Sequence, residues 1–176
     1  MVKVMMLCGL PGSGKSTFAK SFIKQNPDSK IAYISRDEIR FALLGKADKY
    51  FDKEEEVLAE FYKRIDNETR NTENDYVIID ATHLNTNSRR IPLSYVSKDV
   101  QLIFVYFSFA IATCIERNEK RKGRAKVPVT EIRRMAERYM PVSDKEIRNF
   151  KKVSFMVYDE VGLRKIDNKT FKGNTK

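Results

Sequence analysis

The strongest constraint on this 176-residue chain lies near its start, where a glycine-rich stretch follows a short, mostly apolar segment. Residues 9–17 have the sequence GLPGSGKST and satisfy the pattern G-x-x-x-x-G-K-[ST] at every position. Glycines permit a tight turn whose backbone N–H groups converge on phosphate oxygens, and the helix that follows adds its positive N-terminal end. The preceding residues 2–8 predict a strand, so the required order of strand, turn and helix is present. The pattern therefore predicts a nucleoside triphosphate site.

The residues of this loop have distinct expected parts in binding. Lys15 is expected to bridge the β- and γ-phosphates, and the hydroxyl of Ser16 is expected to bind Mg²⁺. The alternative is a glycine-rich turn that binds no ligand. The predicted nucleotide-binding residues at this point are Gly12, Ser13, Gly14, Lys15 and Ser16.

Charge and cysteine content narrow the class of protein further. Lys and Arg number 34 against 24 Asp and Glu, a formal charge of +10, so the surface is expected to attract polyanions. Cys8 and Cys114 each lie in an apolar stretch, which predicts two buried reduced thiols and a cytoplasmic location. No secretory leader is recognised, and no apolar stretch approaches the roughly 20 residues that span a bilayer, so no membrane association is expected.

Five apolar runs predict strands, with helical patterns between them. The runs are near-continuous rather than alternating, as expected for parallel strands covered on both faces. They predict an α/β fold with a doubly wound, five-stranded parallel sheet and helices on both faces. One domain is expected over residues 1–160, and the basic segment 161–176 is expected to be a loosely held tail. The predicted strands are 2–8, 30–35, 76–80, 100–107 and 153–158.

The segment that follows the second predicted strand carries an acid and two arginines. Asp37 is expected at the carboxyl edge of the sheet, where ligands bind in such folds, and is a candidate to accept a proton from a substrate hydroxyl. Arg40, three residues on, shares its helical face and is a candidate to grip an anionic group of that substrate. The alternative is a capped helix with a surface ion pair.

The third predicted strand ends in Asp80, followed by the chain's single histidine. An aspartate that closes a buried strand beside the phosphate loop is placed to orient Mg²⁺ or its water, although a helix cap is the alternative. His83 has no nearby His or Cys partner, so a metal site is not expected there. At most, His83 is expected in a loop close to the substrate.

Residues 116–127 are strongly basic and predict a helical lid. Phosphoryl transfer spreads negative charge over the equatorial oxygens, and arginines brought over them stabilise that charge while excluding water. Arg117 and Arg121 are four residues apart and are expected to share one helical face. The alternative is an ordinary solvated face.

Taken together, these blocks resemble the kinase domain of phage-type polynucleotide 5′-hydroxyl kinases. The resemblance runs from Met1 to about Pro141 and depends most on the Arg-Asp-x-x-Arg segment and on the order and spacing of the blocks. It implies a P-loop kinase fold in which ATP binds the loop and the acceptor enters under the lid. The blocks are residues 9–23 (GLPGSGKSTFAKSFI), 35–40 (SRDEIR), 80–85 (DATHLN) with Arg89-Arg90, and 117–121 (RNEKR) with Val127-Pro128.

The resemblance also implies a role for each matching residue. Lys15 and Ser16, with Thr17, would hold the phosphates and Mg²⁺. Asp37 would be the general base for the 5′-hydroxyl, and Arg40 would contact the acceptor phosphate. Asp80 would support the active site, and Arg121, assisted by Arg117, would stabilise the phosphoryl group during transfer. The best-known members continue into a 3′-phosphatase domain that opens with an Asp-x-Asp pair. Residues 157–160 (VYDE) lack that pair, so no phosphatase activity is expected. The lid and the block near Asp80 each carry one residue more than the family pattern.

The expected function is transfer of the γ-phosphate of ATP to the 5′-hydroxyl end of DNA or RNA, with Mg²⁺ as cofactor and no protein partner evident. The alternative is a small P-loop kinase acting on a nucleoside, sugar or other metabolite. A nucleotide-driven switch is the third possibility. It is disfavoured because the only Asn-Lys pair, Asn168-Lys169, is not followed by the aspartate of a base-reading Asn-Lys-x-Asp motif.

Overall fold

Six strands form one sheet in residues 1–170, which are the residues that this computed structural model describes. The strands are β1 (Lys3–Cys8), β2 (Ile31–Ser35), β3 (Tyr76–Asp80), β4 (Gln101–Phe107), β5 (Lys152–Asp159) and β6 (Gly162–Ile166). Their order across the sheet is β2-β3-β1-β4-β5-β6. The first five are parallel and β6 pairs antiparallel with β5. The predicted parallel strands are confirmed, and the sheet gains a sixth strand that the sequence did not predict.

Seven α-helices connect or flank these strands within the same residues. They are α1 (Lys15–Gln25), α2 (Arg36–Leu43), α3 (Glu54–Arg70), α4 (Thr86–Tyr95), α5 (Ile111–Glu119), α6 (Val129–Glu137) and α7 (Asp144–Ile147). The long helix α3 buries Val57, Phe61 and Ile65, which recur at helical spacing along one face. Its first turn holds three glutamates, which suit the positive end of a helix.

Side chains of the central strand β1 alternate between two apolar clusters. Val4 and Met6 lie in the cluster under α3 and α4, whereas Met5 and Leu7 lie in the cluster under α1, α5 and α6. Both faces of the strand are therefore buried, which explains its near-continuous apolar sequence. The predicted doubly wound α/β fold with helices on both faces is confirmed. Both cysteines are buried and unpaired, as predicted, and burial raises the pKa of the Cys8 thiol to about 12.

The expectation of a loosely held tail is wrong for the first part of that segment. Strand β6 extends the sheet, and beyond it the side-chain amide of Asn168 donates to the backbone oxygen of Val142 at 2.7 Å. The hydroxyl of Tyr106 in turn donates to Asn168 Oδ1 at 2.9 Å. Residues 171–176 of the predicted tail lie outside the described residues. Over residues 1–170, none of the helices has the length and apolar character needed to cross a bilayer.

Strand register gathers the polar residues of the site at one edge of the sheet. Asp80, the last residue of β3, pairs with Leu7 near the end of β1 and with Ser35 at the end of β2. The carboxyl ends of parallel strands meet at the same edge, which is where ligands bind in open α/β sheets. The glycine-rich loop, the start of α2 and Asp80 therefore face one cleft.

Candidate active site

The glycine-rich loop between β1 and α1 depends on glycine at positions 12 and 14. Both residues have positive φ, 81° and 94°, a region that other L-residues rarely adopt. A Cβ on Gly12 would lie 2.1 Å from the backbone oxygen of Cys114, so α5 packs directly against the loop. Gly14 is the N-cap of α1, and the first N–H groups of that helix have no partner within it. The loop thus presents unpaired donors at the positive end of a helix, which suits a phosphate group.

The ammonium of Lys15 is held at the centre of this loop. Its Nζ donates to the backbone oxygens of Gly9 and Leu10 at 2.9 and 2.8 Å. Burial lowers its pKa; the carboxylates of Asp80 and Asp37 oppose that shift and Arg121 adds to it. The hydroxyl of Ser13 is buried without a hydrogen-bond partner in residues 1–170. A charged Lys15 and an unpaired Ser13 hydroxyl fit an anion better than an apolar ligand.

Asp80 is bonded to the start of α1. Its Oδ2 accepts from the Ser16 hydroxyl at 2.6 Å and from the Tyr33 hydroxyl at 2.7 Å. Burial and the charge of Asp80 raise the pKa of Tyr33, so its phenol stays protonated and donates. The predicted metal-binding pair, Ser16 and Asp80, is thus in direct contact. Residues 1–170 contain no group of three His, Cys, Asp or Glu that could hold a metal, so a Mg²⁺ here needs phosphate oxygens and water as further ligands.

Asp37 lies at the start of α2 with one carboxylate oxygen held and the side chain open to solvent. Its Oδ1 accepts from Arg40 Nη1 at 2.9 Å and from the Tyr50 hydroxyl at 2.8 Å. Within residues 1–170 no side chain donates to Oδ2, and the Asp37 side chain is 59% exposed. Burial, followed by the charge of Asp37, raises the pKa of Tyr50 to about 12, which keeps this donor protonated.

Arg40 is buried behind Asp37 rather than free in the cleft. Its side chain is 3% exposed, and its Nη2 donates to Glu54 Oε2 at 2.6 Å. Glu54 also pairs with Arg36. Although burial opposes it, hydrogen bonds from Arg40 and Arg36 lower the pKa of Glu54, so the carboxylate stays charged. The sequence predicts that Arg40 binds an anionic group of the acceptor. In the structure its guanidinium bonds to Asp37 and Glu54, and these bonds hold Asp37 in place.

Of the two predicted lid arginines, Arg117 lies in a helix and Arg121 lies in the loop that follows it. Arg117 lies in the last turn of α5, with its guanidinium carbon 4.6 Å from the centre of the Phe109 ring. Its Nη1 lies 3.9 Å from where a Cβ on Gly14 would be, so it borders the phosphate loop. Helix α5 ends at Glu119, so Arg121 lies beyond it, and the expectation that both arginines share one helical face is wrong. The side-chain amide of Asn118 pairs with both backbone groups of Val127 and closes this excursion from the helix.

The tip of the lid contacts the opposite side of the cleft. Arg124 Nη1 donates to the backbone oxygens of Gly45 and Asp48, each at 3.0 Å. Both residues belong to the segment 44–53 that joins α2 to α3. The contact joins the basic segment to the loop that also carries Tyr50, whose hydroxyl donates to Asp37.

His83 lies behind the cleft, not beside the substrate as the sequence allowed. It is 2% exposed, its Nδ1 donates to the Leu7 carbonyl at 2.9 Å, and its ring stacks on Phe61. Burial lowers its pKa to about 4, and the charge of Arg89 acts in the same direction. Arg89 of α4 is itself fully buried; it pairs with Glu146 of α7 and donates to the carbonyl of His83, so it joins the loop after β3 to both helices.

Most residues that the sequence singled out converge on Lys15. The charges of Asp80, Arg121 and Asp37 all act on its ammonium, and Arg117 borders the same loop. The sequence missed four residues that complete the arrangement: Tyr33, Tyr50, Glu54 and Arg124. Arg124 lies in the basic segment 116–127 that the sequence predicts as a lid; the other three are defined by contacts between separate segments of the chain.

Comparison with known proteins gives a family match and a set of similar folds. The model of a family described as AAA domain matches residues 4–142. Two structures of the Pnkp1/Rnl/Hen1 complex, one described as an RNA repair complex, contain a chain similar to this one. The identities are 25% and 23%, over 65% and 78% of this chain, with TM-scores of 0.55 and 0.59. This chain spans 38% and 46% of those chains, less than half of each.

Two further solved structures share the fold at lower identity. A gluconokinase from Sinorhizobium meliloti 1021 is 15% identical over 88% of this chain and 82% of its own, with a TM-score of 0.53. A fungal RNA kinase is 12% identical over 89% of this chain and 75% of its own, with a TM-score of 0.54. At these identities the likeness concerns the fold alone, and it includes kinases of different acceptors.

Proposed function

The chain belongs to the AAA domain family, and we propose that within it this protein is a polynucleotide 5′-hydroxyl kinase that transfers the γ-phosphate of ATP to the 5′-hydroxyl end of DNA or RNA. Family and fold together make it a P-loop kinase or NTPase domain. The choice of acceptor is the proposal. The observation that carries it is Asp37, held on one oxygen by Arg40 and Tyr50 and open on the other, facing the same cleft as the phosphate loop.

The donor side of the cleft fits a nucleoside triphosphate with Mg²⁺. The backbone N–H groups at the start of α1 and the ammonium of Lys15 are suited to the phosphates, and the unpaired Ser13 hydroxyl would gain a partner there. Ser16 and Asp80 are the residues that would hold Mg²⁺, directly or through water. When bound, Mg²⁺ neutralises part of the negative charge of the phosphates. The contact between Ser16 and Asp80 fixes both groups before any ligand arrives.

On the acceptor side, the role of Asp37 is to align a hydroxyl and accept its proton. Phosphoryl transfer has a loose transition state, so the acid need not be a strong base and its position matters most. Arg40 and Tyr50 fix that position, and Glu54 keeps Arg40 in place. Arg117 and Arg121 are assigned to the charge that develops on the transferred group, because they border the loop and Lys15.

The charge of the protein favours a polyanionic acceptor over a neutral one. A formal charge of +10 gives sequence-independent contacts with a nucleic-acid backbone, so affinity for the acceptor should fall steeply with salt. The similarity to a chain of an RNA repair complex supports the same acceptor class. A sugar or other metabolite is the competing acceptor, since the fold is equally that of a gluconokinase.

The test is a comparison of acceptors with radiolabelled ATP. The panel contains 5′-hydroxyl oligonucleotides of DNA and RNA, the same oligonucleotides with 5′-phosphates, nucleosides, and gluconate. Label is expected to enter only the 5′-hydroxyl oligonucleotides. Phosphorylation of gluconate or a free nucleoside alone would replace the proposal by the small-molecule kinase, and ATP hydrolysis that ignores every acceptor would replace it by a nucleotide switch.

The variant Asp37→Asn tests the assignment of the base. It keeps the size of the side chain and removes its negative charge, so kcat should fall on the order of 100-fold or more while binding of ATP is unchanged. Glu38→Gln is the matched control, because Glu38 neighbours Asp37 on α2 and is exposed, 3.2 Å from Lys20. Turnover of Asp37→Asn within a few-fold of the unmodified protein would show that Asp37 is not the base.

A further inference from the structure

Three aromatic side chains lie together at the acceptor side of the cleft, and no role in the proposed reaction has yet been given to their rings. Phe41 belongs to the last turns of α2, and Tyr50 and Phe51 belong to the segment 44–53. The ring centres of Tyr50 and Phe51 are 4.8 Å apart, and those of Phe41 and Tyr50 are 6.2 Å apart, both edge to face. We call these three residues the aromatic patch.

The aromatic patch is exposed in a way that core packing does not explain. Phe51 is 66% exposed and Phe41 is 37% exposed, whereas Phe18, Phe61, Phe104 and Phe107 are buried. Contiguous exposed apolar surface of this kind marks binding surfaces more often than isolated exposed residues do.

The segment that carries the patch is held by its own hydrogen bonds. Asp48 accepts from the backbone N–H of Gly45, and Asp52 accepts from that of Lys49, both at 2.7 Å. The ammonium of Lys53 donates to the carbonyl of Leu43 at 2.9 Å. These bonds fix the backbone around Tyr50 and Phe51, so little conformational entropy is lost when a ligand packs on their rings.

The patch is joined directly to the proposed general base. The Tyr50 hydroxyl donates to Asp37, and the guanidinium carbon of Arg40 lies 4.4 Å from the Tyr50 ring centre and 5.8 Å from that of Phe51. A hydroxyl bound at Asp37 therefore brings the rest of its nucleotide next to these rings. Arg124 of the lid reaches the same segment, so a cation lies beside the aromatic surface.

Exposed aromatic rings with cations beside them are the combination that single-stranded nucleic acid uses, because bases stack on the rings and phosphates bind the cations. We propose that the aromatic patch, with Phe51 as its exposed ring, stacks on the base of the acceptor's first nucleotide and so selects an acceptor that carries a nucleobase next to the reacting hydroxyl. This inference rests on the proposed function and names what the acceptor site recognises.

The test compares two 5′-hydroxyl oligonucleotides that differ only in their first nucleotide, which carries adenine in one and is an abasic tetrahydrofuran in the other. The unmodified protein is expected to show a kcat/KM about tenfold higher for the adenine substrate, within the range of stacking one base. Phe51→Leu keeps an apolar side chain but removes the ring, so it should bring the two substrates to within about twofold. Tyr95→Leu is the matched control: Tyr95 is a 39% exposed aromatic residue on α4, and this variant should keep the tenfold preference.

A second measurement reports stacking without turnover. An oligonucleotide with 2-aminopurine as its first base should lose fluorescence on binding to the unmodified protein and to Tyr95→Leu, and lose much less on binding to Phe51→Leu. Equal kcat/KM for the two oligonucleotides, or a preference that Phe51→Leu retains, overturns the aromatic patch while the kinase function stands. Failure of the unmodified protein to phosphorylate either oligonucleotide overturns the proposed function and the patch together.

Discussion

The single histidine of this chain makes the stability of the fold depend on pH. His83 is buried, its Nδ1 donates to the Leu7 carbonyl, and its φ of 45° lies in the left-handed region. Its Nε2 is buried with no hydrogen-bond partner in residues 1–170. A proton on Nε2 would place an unpaired charge there, close to the cations of Arg89, Lys15 and Arg36. Burial is the largest cause that lowers the pKa, and these cations add to it.

The magnitude follows from the difference between the folded and unfolded pKa. The folded value is about 4 and the ordinary value is 6.5, so below pH 6.5 the unfolded chain binds a proton that the folded chain refuses. Stability is therefore fully present above pH 7 and is lost as pH falls. Linkage gives a loss of about 2 kcal/mol between pH 7 and pH 5, rising to about 3 kcal/mol at pH 4.

The variant His83→Asn removes the titration while preserving the local structure. Asparagine tolerates a positive φ and its amide can donate to the carbonyl of Leu7. Free energies of unfolding of both proteins in urea, measured at pH 7, 6 and 5, should therefore diverge by about 2 kcal/mol as pH falls. The carboxylates titrate in both proteins and cancel in the comparison. The difference between the two curves isolates the histidine.

Nuclear magnetic resonance gives an independent readout, because the chain contains one histidine and hence one imidazole Hε1 signal. That signal should not shift between pH 7.5 and pH 5.5 in the folded protein. A folded-state midpoint near pH 6.5, or stability curves that stay parallel for the two proteins, would refute the argument from burial.

Two further predictions concern the phosphate loop and the buried ion pair. Gly12→Ala should weaken binding of a fluorescent ATP analogue at least tenfold, because its Cβ would overlap the Cys114 carbonyl. Gly162→Ala is the control: Gly162 also has a positive φ, but a Cβ there would meet no described atom within 4 Å, so binding should be unchanged. Unchanged binding of the analogue by Gly12→Ala would contradict the predicted overlap with Cys114. Arg89→Met should lower the free energy of unfolding by about 3–5 kcal/mol in urea, because it removes the charged partner of the buried Glu146 carboxylate and the Arg89 donor of three carbonyls. A loss below 1 kcal/mol would show that solvent reaches Glu146.

The sequence predicts the strands of this fold more accurately than the end of the helix at the lid. The five parallel strands were predicted to within a residue or so of their ends, because continuous apolar runs arise only where both faces of a strand are buried. Strand β6 was missed because its exposed edge position leaves it polar, with Arg164 and Lys165 at its centre. The helix predicted over the lid ends early, at Glu119. The side-chain amide of Asn118 bonds to the backbone of Val127, a contact between separate segments that the spacing of basic residues does not reveal.

The positions of Lys15, Ser16 and the loop glycines were determined by the sequence alone. Their geometry depends on near neighbours along the chain: a strand, a turn that needs positive φ, and a helix start. The end of β3 likewise placed Asp80 at the cleft, since parallel strands finish at one edge.

Only the tertiary structure decided what holds and surrounds these groups. Arg40 is paired with Glu54 fourteen residues away, Tyr50 lies thirteen residues from Asp37, and Arg124 reaches Asp48 across 76 residues. His83 was placed behind the cleft by the same long-range packing. Contacts of this kind follow from how helices and loops pack over the sheet, and charged or aromatic residues in a loop have no periodicity that would reveal their partners. Sequence spacing therefore specified the phosphate loop and the sheet edge, whereas packing between distant segments decided which side chains hold Asp37 and which rings lie beside it.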